Sequence, residues 1–312
     1  MRNSIVVLGG INMDLVTNAD TLPKPGETIK GYKFGMYPGG KGSNQAVAIG
    51  KLGGNVYILG RIGDDTFGAT LEKSMKSSNV KTNFLKISKG QSTGIALIMV
   101  DKNGENMITF VPGANGDVSI EDVKNAEDGI KAAKIFLSQL EVPYDAVFKA
   151  VDIAYENGVD IIIDPAPVPS EKFPENFWRK VSIVTPNETE AEGITGIEVK
   201  DVESAKRAGE LFLSWGVNKA VIKLGAKGCV LVTKELWIHI KPVKVNSVDS
   251  TAAGDVFAGA LAFSLAQGNE IEKALKFANY AGALSTTRYG AQPGAPTYEE
   301  LQAFIRERGL SL

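Results

Sequence analysis

Cysteine and histidine are almost missing from this chain, which has one of each in 312 residues, Cys229 and His239. A lone cysteine permits no internal disulfide and fits a reducing compartment. Within the apolar run GCVLV it reads as core packing. A lone histidine, in the strand-like LWIHI, removes His-rich metal sites and argues against a serine or cysteine triad. Neither charge sign is in excess. Basic side chains number 34 and acidic ones 36, so the formal net charge of −2 offers no footprint for nucleic acid or an anionic membrane. No long apolar run exists either: the longest, Ala252 to Ala266, is broken by Asp255 and falls short of the roughly 20 residues that span a bilayer. The start, MRNSIVVLGG, has no small-residue cleavage site and reads as a first strand, not a signal peptide. Two glycine signatures are absent as well. Lys41 is followed by Gly42 where a Walker A loop needs Ser or Thr, and no strand leads into G-x-G-x-x-G. These absences predict a cytoplasmic protein with a small-molecule partner, no nucleic acid and no membrane.

Short apolar runs alternate with helical patterns along the chain. The runs are IVVLG, NVYILG, KIFLSQLE, DIIIDPAP, VSIVTPNE and KAVIKLG, with amphipathic segments such as DVESAKRAGELFLSWG beside them. That alternation predicts an α/β fold: one domain over residues 1–312 with a central, mostly parallel sheet and helices on both faces. Gly26 to Gly40 and Ser92 to Gly113 instead alternate apolar with polar residues, and Asn103-Gly104 signals a tight hairpin. They predict a small antiparallel sheet, formed by about residues 12–42 and 92–113, inserted as a lid over a site or as a dimer contact; an ordinary edge hairpin is the alternative.

In open parallel sheets, ligands collect beyond the carboxyl ends of the strands. The polar residues there are Asn12 and Asp14, Glu141, Asn187 and Glu190, and Gly225 and Gly228. Each one alone also suits an ordinary turn or cap. In YPGGKGSNQAVAIGKLG, glycines 39, 40 and 42 open directly into a helix, which allows close approach of a ligand to backbone N–H groups. The stretch VDSTAAGDVFAGAL makes the stronger proposal. Ala252, Ala253 and Gly254 at a helix start present amides to a phosphate with no bulky side chain in the way. Asp255 follows in the first turn, where the helix dipole favours its ionised form and so keeps it able to take a proton. The alternative is a merely dipole-favoured helix residue. The apolar run VFAGALAFSLA weighs against it, because a buried helix start with a bare carboxylate is costly unless a ligand or partner meets it.

Together, PGGKGSNQAVAIGKLG and VDSTAAGDVFAGAL resemble the two signatures of the ribokinase, or PfkB, family of carbohydrate kinases. INMD, TPNETEAE, KLGAKG and TRYGAQPGAP appear between and after them in fitting order, so the resemblance covers essentially the whole chain. It implies ATP-dependent phosphorylation of D-ribose to D-ribose 5-phosphate. By that resemblance Asp255 is the base for the sugar's primary hydroxyl, and Ala252, Ala253, Gly254 and Asp255 form an anion hole. Asn12, Asp14, Gly40, Lys41, Gly42, Asn44 and Glu141 would hold the sugar. Asn187 and Glu190 match an N-x-x-E element that helps place Mg2+ and phosphate, while Lys223, Leu224, Gly225, Ala226, Lys227, Gly228 and Asn279 match the nucleotide wall. K+ is the implied activator, at Asp249, Thr251, Ser285, Arg288, Gly290 and Gly294. Gly294 stands where a serine is often found, which removes one oxygen ligand, and Ser250 replaces a usual threonine. The resemblance also implies a homodimer joined through the lid.

Three rivals differ in class or substrate. The same fold could act on fructose, deoxyribose or adenosine, since pocket shape selects the acceptor. Only Lys41 adds positive charge near the sugar motifs, which argues against phosphorylated acceptors. A non-catalytic sugar-binding regulator would not need Asp255, and a dehydrogenase would need the missing glycine fingerprint.

Overall fold

The structure, a computed structural model, describes residues 3–312. Its strands, in chain order, are β1 (Ser4–Leu8), β2 (Asn12–Ala19), β3 (Gly31–Gly39), β4 (Asn55–Gly63), β5 (Lys81–Ser88), β6 (Gly94–Val100), β7 (Asn106–Val111), β8 (Ile135–Ser138), β9 (Asp160–Ile163), β10 (Ile183–Val184), β11 (Lys219–Lys223), β12 (Cys229–Val232) and β13 (Trp237–Ile240). Nine of them form one sheet in the order β13-β12-β11-β10-β9-β8-β1-β4-β5. It is parallel from β11 to β5, and β12 and β13 add antiparallel pairs at the edge. Every apolar run that predicted a parallel strand supplies one.

Strand β1 shows why these runs are apolar throughout. Its side chains alternate, Ile5 and Val7 joining one core cluster and Val6 and Leu8 the other, and all four are fully buried. Helices cover both faces. On one side the helices Lys41–Lys51 and Ala253–Ala266 cross at Gly259, where an added Cβ would lie 2.8 Å from the Gln45 carbonyl oxygen and 3.0 Å from the Ala48 Cβ. This approach sets residues 44 and 45 beside the first turn of the second helix. Cys229 is fully buried, and burial pushes its thiol up to about 12. His239 bonds the Lys227 carbonyl through Nε2 at 2.8 Å, a structural role.

The inserted sheet has the order β3-β2-β6-β7. Its outer pairs, β2–β3 and β6–β7, are antiparallel, and its central pair, β2–β6, runs parallel. Alternation in either segment could not reveal that pairing, because Lys41–Lys51, β4 and β5 lie between the two strands in the chain. The Asn103-Gly104 turn is a five-residue loop, 101–105, in which the Asp101 carboxylate accepts the amides of Asn103 (2.8 Å) and Glu105 (2.9 Å) and Gly104 takes φ 85°.

Candidate active site

Strands β1, β8, β9, β10 and β11 all end on one edge of the main sheet, and the polar residues just beyond them meet there. Asn12 opens β2 and is buried, its Oδ1 accepting from Asn115 Nδ2 at 2.7 Å. Asn115 is itself fixed by the Ile11 amide at 2.9 Å. Two residues along β2, the Asp14 carboxyl lies against Gly39, where any Cβ would collide with it. Gly40 follows at φ 89°, a conformation glycine takes without strain, and turns the chain into the Lys41–Lys51 helix. The Lys41 amide donates to Glu141 Oε2 at 2.9 Å, and the backbone of Gly42 sits against Gly9 and Gly10. Asn44 donates to Asp255 Oδ2 at 3.0 Å. All seven residues predicted to hold the sugar therefore share one neighbourhood, and it reaches Asp255. The Asn44 Oδ1 is buried with no partner among the described residues, an acceptor a ligand hydroxyl would satisfy.

Burial dominates the electrostatics here. It pushes Asp14 up to about 7, helped by the Asp255 charge and opposed by Lys41. Glu141 also rises to about 7 through burial, against the charge and the amide of Lys41. Burial alone would lower the Lys41 ammonium, but Asp255, Glu141, Asp164 and Glu190 together hold it above the ordinary lysine value.

Asp255 lies in the first turn of Ala253–Ala266 and is buried. The helix dipole was expected to keep it readily ionised. Instead burial raises its carboxyl above the ordinary aspartate value, against the pull of Lys41. A raised pKa strengthens the base, because greater proton affinity adds driving force to the transfer. Ahead of it, Ala252 adopts φ 59° and ψ 13°, left-handed for a residue with a Cβ. That strain, about 1–2 kcal/mol, aims the following amides. Of the four amides expected to form an anion hole, Ala253 donates to the Ser250 carbonyl at 3.2 Å. Those of Ala252, Gly254 and Asp255 have no acceptor among the described residues.

Asn187 and Glu190 form a capping box, each side chain accepting the other's amide at 2.8 Å. Glu190 spends Oε2 there and keeps Oε1 as a hard oxygen donor. Burial raises its pKa, opposed by Lys223. Leu224 is buried, whereas Gly225, Ala226 and Lys227 form an exposed 3-10 turn closed by Gly228 at φ 87°. Gly228 packs on the backbone of Ile240 to Pro242, and Asn279 Nδ2 donates to the Lys241 carbonyl at 2.9 Å, so turn and asparagine line one wall. Lys223 turns inward instead, to Asp164.

The six residues of the implied K+ site also converge. The Asp249 carboxylate accepts the Thr251 amide at 2.9 Å and the Gly290 amide at 2.8 Å. Burial pushes Asp249 up, but hydrogen bonding by the Thr251 side chain, together with the Gly290 and Thr251 amides, outweighs it and leaves the carboxyl below the ordinary value. The Ser285 and Arg288 carbonyl oxygens lie 3.0 Å and 3.7 Å from where a Gly294 Cβ would stand, while the Arg288 guanidinium pairs with Glu300 at 2.9 Å.

Residues 2–298 match the family described as pfkB family carbohydrate kinase. The chain belongs to that family. This kinase is 38% identical to the ribokinase of Haemophilus influenzae over 305 residues, which cover 98% of the chain and 99% of the relative. It is 33% identical to the deoxyribokinase of Salmonella typhi over 301 residues, covering 96% and 98%. An Arabidopsis thaliana ribokinase structure complexed with ribose and ATP superposes with a TM-score of 0.90 at 29% identity, covering 98% of this chain and 99% of that one.

The kinase site also holds residues that sequence reasoning did not single out. Gln45 Nε2 donates to Asp164 Oδ2 at 2.9 Å and to Asp255 Oδ1 at 3.3 Å, and Gln139 donates to the Gln45 Oε1. Thr185 donates to Asp164 Oδ1 at 3.1 Å. Asp164 directly follows strand β9, DIII, so the strand-end rule that found Glu141 applies equally to it.

The raised carboxyls make opposing pH predictions. Below about pH 7 Asp14 and Glu141 carry protons and lose acceptor capacity for sugar hydroxyls, so kcat/KM for the sugar falls as pH drops through 7. Stability runs the other way. Both native pKa values exceed the ordinary 3.8 and 4.5, so the stabilising contribution is complete below those values and is lost as pH rises to about 7. Between pH 5 and 7 the ligand-free protein's Tm is expected to fall while kcat/KM climbs; thermal scans and initial rates across that range check both slopes.

Proposed function

We propose that this kinase transfers the terminal phosphoryl group of ATP to the primary hydroxyl of D-ribose, giving D-ribose 5-phosphate and ADP. The observation that carries this reading is the buried Asp255 carboxylate, tied to the sugar-side Asn44 and flanked by the unengaged amides of Gly254 and Asp255. Asp255 takes the hydroxyl proton as the sugar oxygen bonds the terminal phosphorus. The bond to ADP breaks, and its electron pair leaves on the β-phosphate oxygen. The amides at the helix start neutralise charge on the oxygens in transit, which is most of what phosphoryl transfer requires. The inserted sheet closes over the sugar and excludes water, the competing acceptor. Mg2+ would be held by the phosphates with Glu190 Oε1 and the Asn187 element nearby; it supplies charge neutralisation when bound.

The test is an ADP-release assay over ribose, 2-deoxyribose, fructose and adenosine. The highest kcat/KM is expected for ribose, and a higher value for another acceptor overturns that substrate. Deoxyribose is the second reading, favoured by the 33% identity to a deoxyribokinase.

K+ is proposed as an activator. The converging carbonyls of Ser285 and Arg288 and the ionised Asp249 make a hard-oxygen site next to the anion hole. Turnover is expected to rise several-fold on adding K+ to a Tris buffer free of K+ and Na+; equal rates exclude the role.

A homodimer through the lid completes the proposal. Strand register places Phe34, Met36, Leu97 and Met107 on one face of the inserted sheet, and they are 60%, 55%, 46% and 53% exposed. So large an apolar face calls for cover. The expected mass by light scattering is that of two chains, and a monomer at micromolar concentration refutes it. The single buried thiol suits a reducing compartment, and the cytoplasm is the proposed location. Among the described residues no helix is long and apolar enough to cross a membrane.

A further inference from the structure

Lys223 ends β11 and Asp164 follows β9, with β10 between them, so their side chains reach across one strand at the site edge of the sheet. Lys223 Nζ lies 2.7 Å from Asp164 Oδ1, and the two side chains are 11% and 2% exposed. Both oxygens of Asp164 are engaged: Oδ1 also accepts from Thr185 and Oδ2 from Gln45. The ammonium is not fully engaged, since it has three donors and one acceptor among the described residues. An added Cβ on Gly254 would sit 3.4 Å from Nζ, so the ammonium stands against the start of the Ala253–Ala266 helix, where the Gly254 and Asp255 amides are unengaged.

The ammonium feels the charges of Asp164, Glu190 and Asp255. Yet among the described residues two of its three donors are unengaged and stand against the positive end of a helix dipole, a place that a ligand anion would fill. A buried ion pair does not justify itself through stability, because apolar residues of similar shape commonly serve as well or better. We propose that Lys223, aimed by Asp164, grips the terminal phosphoryl group of the bound nucleotide, and so acts at the transfer point instead of on the nucleoside wall formed by Gly225 to Gly228. This rests on the ATP-dependent kinase reading and deepens it. The three peripheral oxygens of that group stay charged from reactant to product while the bond to ADP breaks and the sugar–oxygen bond forms. Two amides and a fixed ammonium on one side match that charge.

The test uses the full chain with Mg2+ and ribose. In Lys223→Met, kcat is expected to fall about 10²- to 10³-fold. Binding of the non-hydrolysable triphosphate AMP-PNP, by calorimetry, should weaken by about tenfold or more, while ADP and ribose bind as in wild type. An equal loss for ADP and AMP-PNP, or an unchanged kcat, overturns the proposal. Because Lys223→Met leaves Asp164 buried and unpaired, the double variant Lys223→Met/Asp164→Asn removes both charges. It should fold with a near-normal Tm and keep the kinetic defect. Recovery of wild-type kcat in the double variant makes the pair purely structural and refutes the role. If the wild type binds neither nucleotide, the kinase reading itself fails; a wild type that binds both, with variants that do not discriminate between them, defeats only this inference.

Discussion

Asp255→Asn lowers kcat by about 10²- to 10⁴-fold with little change in sugar affinity. The amide keeps the shape of the carboxylate but cannot take the hydroxyl proton. It also places an NH2 group against a donor, because Asn44 Nδ2 and Gln45 Nε2 address the two oxygens separately at 3.0 Å and 3.3 Å. Stability should not follow activity. Burial raises the pKa of this carboxyl, so its ionised form is a cost to the ligand-free fold at neutral pH. A neutral amide removes that cost, and the variant's Tm at pH 8 is expected to equal or exceed that of wild type despite one weakened hydrogen bond. Steady-state kinetics and thermal melts on the same preparation check the pair of outcomes. Turnover within a few-fold of wild type removes Asp255 from the base role.

The same residue separates what the sequence shows from what it hides. Its place in the first turn of an oily helix follows from fifteen neighbouring letters, and so does the small-residue approach through Ala252 to Gly254. The sign of its pKa shift does not. The helix dipole is a local property readable from the chain, whereas burial comes from the crossing with Lys41–Lys51 at Gly259, more than 200 positions away. Lys223 enters the sequence reading only through the family resemblance and Asp164 does not enter it; their pairing spans 59 positions and exists only because β9, β10 and β11 are neighbours in the sheet. Gln45 to Asp164 spans 119. The parallel β2–β6 pair was hidden for the same reason, since period-two alternation marks a strand and carries nothing about its partner's direction. The N-x-x-E element shows the opposite case: its capping box closes within four residues and depends on no distant strand or helix.

Gly42→Ala tests the backbone geometry beneath the sugar side and is expected to cost about 10²-fold in kcat/KM for the sugar. An alanine Cβ there would lie 2.5 Å from the Gly9 carbonyl carbon, 2.7 Å from the Gly9 Cα and 2.9 Å from the Gly10 nitrogen. All three are backbone atoms at the end of β1, whose strand is buried on both faces, so no flexible group can yield. The Lys41–Lys51 helix must move, and it carries Lys41, Asn44 and Gln45, whose contacts to Glu141, Asp255 and Asp164 are all within 3.3 Å. Overpacking of this kind destabilises by about 1–3 kcal/mol, so lost activity alone would be ambiguous. Gly53→Ala resolves it. Gly53 has φ 82° with nothing within 4 Å of an added Cβ, so alanine there adds about 1–2 kcal/mol of backbone strain and displaces no site residue. Comparable Tm losses with a kinetic defect confined to Gly42→Ala establish that the helix position sets the sugar site. Equal kinetics in the two variants would show that the site tolerates the shift, and the close Gly9–Gly42 approach would then serve packing alone.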